Sequence, residues 1–396
     1  MTSDVATASS MGCGNFPDPL WRNISENVTD NTTTLLSSVD STPPWVYLVI
    51  GVCVAVMGVI GIIGNGTVIC LFLRYRILRS AANTFVFSMA CTDLLMCLVN
   101  FPIFSTANIT GAWPLPPVSC QVTGFVASLA GYISINTLAA MAVDRCSVIK
   151  RTKPITGRSS RSSMVLTVVG IWLYSGVWAA LPLVGWGRYV RYGPTVCSFD
   201  FESKDTNNVS FIIGIYVFCF TLQFLIIVLC YSSIFATIYF HDRKLSKMKV
   251  ILTNGRERRT VSRRMLELKV ARLVLFIIFF FCLSWAPYAI LALINMFGCP
   301  SLVTPIGVVL AGALAKTSTV MNPLIYAIYA PRFRNCISLC CRTGIDDAKR
   351  SYIPSTHNHP TIHNTSSRRS LTNNSHPSHV RRIGECVGER RSCSTE

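Results

Sequence analysis

Seven stretches of this chain are almost wholly apolar, and polar, mostly basic segments separate them. They run over 46–73, 83–107, 118–143, 164–187, 209–240, 273–297 and 302–329. Each is long enough to cross a bilayer as a helix, which takes about 20 residues because a helix satisfies every backbone N–H and C=O within its own segment. Five of the seven contain no Asp, Glu, Lys or Arg, and the other two hold one each, Asp93 and Lys316. The pattern predicts an all-α membrane protein: a seven-transmembrane-helix bundle over 45–330, a short amphipathic eighth helix over 331–342, and polar tails at 1–44 and 343–396. The first apolar window follows a long polar stretch, so it does not read as the core of a cleavable signal peptide.

Composition changes the picture only by sharpening it. The chain is 51% hydrophobic and 14% charged, against about 25% charged in soluble domains. A formal net charge of +18 suggests nucleic acid at first sight. The basic residues lie between apolar runs and form no face on a polar domain, which argues against that partner. Instead they report orientation. Lys and Arg crowd the first connection (Arg74, Arg76, Arg79), the third (Arg145 to Arg161) and the fifth (Arg243 to Lys269). The second and sixth connections have none, and the fourth has only Arg188, Arg191 and Lys204. Basic loops stay in the cytoplasm, so the expected topology is a plasma-membrane protein with its N-terminus outside and its C-terminus inside. Three glycosylation sequons at Asn23, Asn27 and Asn31 fall on the predicted outside, whereas those at Asn364 and Asn373 fall inside and should stay unmodified.

The seventeen cysteines sort by position. Most lie in apolar windows and read as small buried hydrophobes. Cys120, at the outer start of the third window, and Cys197, in the fourth connection, both face the oxidising side and predict a disulfide. Cys13 and Cys299 are a further, weaker candidate pair. Cys340 and Cys341 follow the seventh window on an amphipathic stretch with Cys336, where palmitoylation would anchor the chain to membrane lipid. The tail beyond Thr343 is rich in Ser, Thr, Asn, His and Arg, which predicts disorder and offers Ser370, Thr372, Ser375 and Ser378 to kinases.

Lys316 carries the most chemical information. Half-way along the seventh window it sits near the bilayer midplane, where a charged side chain is costly and usually functional. The bland alternative is an ion pair with the lone intramembrane acid, Asp93, which lies nearer the cytoplasmic half. The functional ones are an ion or proton site, or an amine nucleophile, since burial favours the neutral amine with a free lone pair.

The residues around it decide. Ala315-Lys316-Thr317-Ser318 followed by Asn322-Pro323-Leu324-Ile325-Tyr326 resembles the retinal-attachment helix of opsins. Other helices agree: Gly64-Asn65, Ala90-Cys91-Thr92-Asp93-Leu94, Asp144-Arg145-Cys146, Trp172, and Cys282-Leu-Ser-Trp285-Ala-Pro287-Tyr288 resemble rhodopsin-like receptors. Pro182-Leu-Val-Gly-Trp186 and Cys197-Ser-Phe-Asp200-Phe are similar to opsins in particular. The resemblance covers roughly 45–342. It implies a light-sensing receptor carrying 11-cis-retinal as a Schiff base on Lys316, and no enzyme. It also implies a heterotrimeric G protein as partner, with receptor kinase and arrestin acting on the tail. Trp285 and Tyr288 share a helix face and would line the polyene. Gly131 would leave room for its ring end, and the Pro287 kink would let helix 6 swing. Arg145 and Glu267 would pair to hold the receptor shut, with Asp144, Asp93, Asn322, Pro323 and Tyr326 completing the switch.

The chain also departs from the family, and so is expected outside the vertebrate visual branch. Cys146 replaces the usual Tyr after Asp-Arg, and Ala330-Pro-Arg replaces the polar tripeptide near the G protein. Gln223 stands where helix 5 usually has Pro, which predicts loss of its bulge. The helix 3 position that holds the counterion in vertebrate pigments is Thr123, and the alternative loop position falls on Arg191 or Tyr192. A buried cationic Schiff base needs a compensating charge or loses its proton. The open choices are an unprotonated, ultraviolet-absorbing base, an inward-folded Glu202 or Asp205, and a chloride ion held by hydroxyls such as that of Thr123. Chloride is the preferred reading, and Asp200 is set aside because such loops pair it with the position of Arg188. Two alternatives to a signalling opsin remain: a retinal photoisomerase on the same scaffold, and a non-photosensory receptor in which Lys316 is incidental. A transporter is disfavoured by the lack of a repeat between halves.

Overall fold

The computed structural model describes residues 42–150, 161–192, 195–248, 255–298, 302–330 and 332–340. The sequons at Asn23, Asn27 and Asn31, Cys13, Cys299, Cys341 and the C-terminal tail lie outside the described residues. Among the described residues, seven helices are long and apolar enough to cross a membrane. They are α1 (Pro44–Arg74), α2 (Asn83–Thr110), α3 (Val118–Lys150), α4 (Arg161–Ala180), α5, α6 (Gly255–Phe297) and α7 (Pro305–Tyr329). Helix α5 is built in three parts: Thr206–Gly214, a π-helical stretch Ile215–Thr221, and Leu222–Met248. A short helix, α8, covers 332–340.

The outward faces are apolar, as a lipid solvent requires. Val52, Val56, Val59 and Ile63 on α1, and Phe276, Phe279, Leu283 and Ile290 on α6, are exposed at helical spacing. Helix α3 is the most enclosed of the seven spans and packs against α2, α4, α5 and α6. Helices α3, α5 and α6 run past the apolar windows into the basic connections. Hydropathy sees only the part in lipid, whereas backbone hydrogen bonding continues through Arg-, Lys- and Glu-rich turns that favour helix.

The proline inside α7 shows how the bundle absorbs a broken hydrogen bond. Pro323 in α7 has no N–H for the carbonyl of Thr319. Asn65 of α1 supplies it, its Nδ2 donating to Thr319 O at 3.1 Å and to Gly61 O at 3.0 Å. The contact needs Gly64, because a Cβ there would lie 2.8 Å from Cγ of Pro323. Pro102 and Pro287 likewise remove a backbone donor inside α2 and α6.

Helix α5 corrects an expectation. Loss of the proline does not remove the bulge: Ile215–Thr221 is π-helical. Gln223 accounts for it by different chemistry. Its buried amide donates from Nε2 to the carbonyl of Phe218 at 3.0 Å, meeting an acceptor left short by the widened turn.

At one end of the bundle a hairpin, β1 (Tyr189–Tyr192) and β2 (Val196–Phe199), pairs antiparallel with Arg191 opposite Cys197. The predicted disulfide is present: Cys120 on α3 joins Cys197 on β2, with the Cα atoms 5.4 Å apart. Gln121 adds a hydrogen bond from Nε2 to Tyr189 O at 3.1 Å. The hairpin is thus clamped to α3 as a roof over the bundle. At the other end α8 is amphipathic: Phe333 and Cys336 are buried three residues apart, and Cys340 is exposed. The Phe333 ring stacks on Tyr326, with centroids 5.9 Å apart.

Candidate functional site

Lys316 lies on the inner side of α7. Its Nζ sits 4.0 Å from the centroid of the Phe104 ring on α2 and donates to Gly312 O at 3.4 Å. Among the described residues it forms no ion pair. Asp93, the bland partner, is occupied: its Oδ2 accepts from Asn322 Nδ2 at 2.8 Å.

Two hydrogen bonds fasten α6 to α7 directly beside the lysine. Ser284 Oγ meets Thr317 Oγ1 at 2.8 Å, and Trp285 Nε1 donates to Ser318 Oγ at 3.2 Å. Trp285 and Tyr288 face the same interior, edge to face at 6.1 Å between centroids. Tyr288 hydrogen-bonds Ser198 in the roof. Around them Tyr132, Phe199, Phe201 and Tyr192 form a continuous aromatic lining. Gly131 is placed as expected on α3, but the space over it is taken by the indole, since a Cβ there would lie 2.9 Å from Cη2 of Trp285.

Most positions expected to compensate a buried cation are engaged with other partners. Thr123 is buried, and its hydroxyl is directed at its own helix, toward Ser119 O at 3.0 Å and Cys120 O at 3.1 Å. The O–H is thus shared between two carbonyls of its own helix. Arg191 is exposed. Asp205 does not fold inward: it caps α5 by accepting from Asn208 N at 3.1 Å and pairs with Arg188 at 2.7 Å, both side chains being about half exposed. Asp200 is buried, lies 3.6 Å from Arg188 Nε, and accepts from the backbone N–H groups of Glu202 and Ser203. Glu202 is half-buried beside Tyr192. Burial first, and the Glu202 carboxylate second, push the Tyr192 phenol well above its ordinary value, so it stays neutral and accepts from Phe201 N.

At the end of the bundle away from the hairpin, Arg145 is buried between two carboxylates. Its Nη1 lies 2.7 Å from Oε2 of Glu267 on α6, and its other terminal nitrogen contacts Asp144. Tyr231 of α5 donates to Ala271 O on α6 at 2.9 Å, so α3, α5 and α6 are tied together within about two helical turns.

The general model of the seven-transmembrane receptors of the rhodopsin family matches residues 64–326. The rhodopsin of the octopus Enteroctopus dofleini is 36% identical over 300 residues, 75% of this chain and 66% of that protein. The melanopsin of Rutilus rutilus is 34% identical over 297 residues, 75% of this chain and 59% of that protein. The crystal structure of squid rhodopsin superposes with a TM-score of 0.73 at 31% identity, covering 83% of this chain and 98% of that one. The chain is an animal opsin of the rhodopsin family. It spans about two thirds of the length of the octopus rhodopsin.

Several residues of this opsin's site carried no signal in the sequence. Phe104 was one apolar residue in an apolar window, without any local mark. Ser198, Ser284, Thr317 and Ser318 are short hydroxyl residues whose pairing across helices no spacing announces. Asn65 was legible in principle, because Pro323 orphans a carbonyl that some donor must meet.

Proposed function

We propose that this opsin is a light-sensing receptor that holds retinal covalently on Lys316 and activates a heterotrimeric G protein. The observation that carries the reading is the Lys316 amine: buried within a spanning helix, without an ion-pair partner among the described residues, and fronted by an aromatic wall. The residues fit a polyene aldehyde. They offer one amine for the covalent link, aromatic faces from Tyr132, Phe199, Phe201 and Tyr288 for the chain, and a disulfide-clamped roof that excludes water. When bound, retinal supplies light absorption and a change of shape on isomerisation.

The chain's own residues relay that change toward the cytoplasm. Trp285 stands between the aromatic wall and the cytoplasmic half of α6, hydrogen-bonded to Ser318 and seated on Gly131. A change of shape in the pocket therefore strains one indole and two hydrogen bonds between α6 and α7. Pro287 gives α6 a hinge at that level. The Arg145–Glu267 pair is the contact that an outward swing of α6 must break. The retained pair favours signalling over a pure photoisomerase. Receptor kinase and arrestin would act on the Ser- and Thr-rich tail, and a plasma-membrane location with the N-terminus outside accords with the loop charges. Charge compensation by a chloride ion remains the preferred finer reading, since Asp205 is engaged elsewhere and Arg191 is turned outward. The Thr123 hydroxyl would have to turn from its own helix to serve as a donor to it.

The test is to add 11-cis-retinal to the purified chain and record spectra before and after illumination, then measure light-dependent nucleotide exchange on G proteins. A stable light-sensitive band with exchange is expected. A band without exchange assigns the photoisomerase, and no band at all refutes the retinal site.

A further inference from the structure

The ring beneath Lys316 is placed where the family's departures leave a gap. Phe104 is buried at 6% exposure, and its face is set 4.0 Å from Nζ. Its position is held from both sides. Gly51 and Gly58 of α1 bring α1 close against this part of α2, where Ser105 Oγ donates to Gly51 O at 2.7 Å. Gly312 of α7 borders the ring edge: a Cβ there would lie in ordinary van der Waals contact, 3.6 Å from Cε2 of Phe104. The residue that accepts from Nζ thus also flanks the ring. An aromatic face carries negative quadrupole charge and attracts a cation within about 6 Å of its centroid, more strongly when water is excluded.

The groups that could do this electrostatically lie elsewhere. The elements packed against α7 are α1, α2, α6 and β2. On α2, Asp93 is eleven residues before Phe104, about 16 Å along a helix axis, and is bonded to Asn322. Cys97 is closer to Asp93 than to Phe104 in sequence, and Cys53 of α1 is exposed. Tyr47 on α1 and Tyr288 on α6 are phenols, neutral at ordinary pH. On the roof, Cys197 is in the disulfide and Glu202 stands beside Tyr192.

We propose that the face of Phe104 is the protein's own cation-stabilising partner for the nitrogen of Lys316, in the amine and in its protonated Schiff base alike. The proposal rests on the retinal reading only for the second half. A neutral ring compensates less than a carboxylate, so it lowers the demand on any counter-anion without replacing it.

The experiment uses the full chain in lipid nanodiscs at one fixed chloride concentration. Phe104 is replaced by mono-, di- and trifluorophenylalanine, which keep the shape while draining the π face, and by Leu. In the pigment the visible band is titrated to its deprotonated form. The midpoint should fall stepwise with fluorination, by roughly half to one and a half pH units for trifluorophenylalanine and Leu. In the retinal-free protein, reductive methylation of Lys316 followed by mass spectrometry should show the amine reacting at lower pH in the same order. A midpoint and a methylation profile unchanged across the fluorinated series overturn the proposal, whatever the Leu variant does. If no pigment forms, the retinal reading fails, and the methylation series still decides the ring.

Discussion

Replacing Glu267 by Gln removes one of the two negative charges on Arg145 while leaving the side-chain volume almost unchanged. The pair is short, 2.7 Å, with side chains 8% and 22% exposed. An exposed pair would contribute at most about 1 kcal/mol, and loss of one partner of a fully buried pair costs about 3–5 kcal/mol. Asp144 stays on Arg145, so the guanidinium is not abandoned, and the amide of Gln keeps an uncharged acceptor. The loss is therefore that of one charged hydrogen bond, about 1.5–3 kcal/mol. Because an open α6 cannot hold this contact, the whole loss falls on the closed state. It shifts the balance between closed and open forms roughly 10- to 150-fold. Dark nucleotide exchange on the G protein, normalised to receptor amount, should rise accordingly, and light should add less than in the wild type. Asp144→Asn should raise it less, since a neighbour on the same helix is not separated by the swing. The wild type and Glu267→Gln must be compared at equal thermal stability, so that unfolding is not read as activation. Dark exchange in Glu267→Gln indistinguishable from the wild type would refute the lock.

Lys316→Ala should lose all retinal that survives borohydride reduction and denaturation, and equal labelling of the variant would move the attachment site elsewhere. Exchange of chloride for a larger halide should shift a visible band if an anion compensates the site. A band blind to halide but turned ultraviolet in Glu202→Gln would assign the loop carboxylate instead. Gln223→Leu takes one of two side-chain donors from the Phe218 carbonyl, which keeps the Tyr174 hydroxyl at 2.9 Å, and should lower stability by roughly 0.5–1.5 kcal/mol, seen as a drop in Tm, whereas no change would dissociate the amide from the π-helical stretch. Cys120→Ser frees a loop whose ends are 77 residues apart and should cost about 4.5 kcal/mol on the chain-entropy estimate, read as loss of pigment yield at raised temperature.

The seven spans were legible because lipid imposes a one-dimensional rule: a segment must be apolar for its full length and must close its own hydrogen bonds. The singular Lys316, the Asn322–Tyr326 stretch and the Cys120–Cys197 pair stood out for a related reason, being exceptions within uniform surroundings. Helix ends were not legible where helix continues into water, as α6 shows by starting at Gly255. Nor was the bulge in α5, where side-chain donors from Gln223 and Tyr174, and no proline, accompany the widened turn. The orientation of Asp205, the engagement of Thr123 and the ring beneath Lys316 were decided only in three dimensions. Each depends on which groups of other helices or loops, or of the same helix one turn away, come within hydrogen-bond or van der Waals distance. A linear pattern records how apolar a position is, and Phe104 was apolar like its neighbours; only the packing of α2 against α7 turned its face toward an amine.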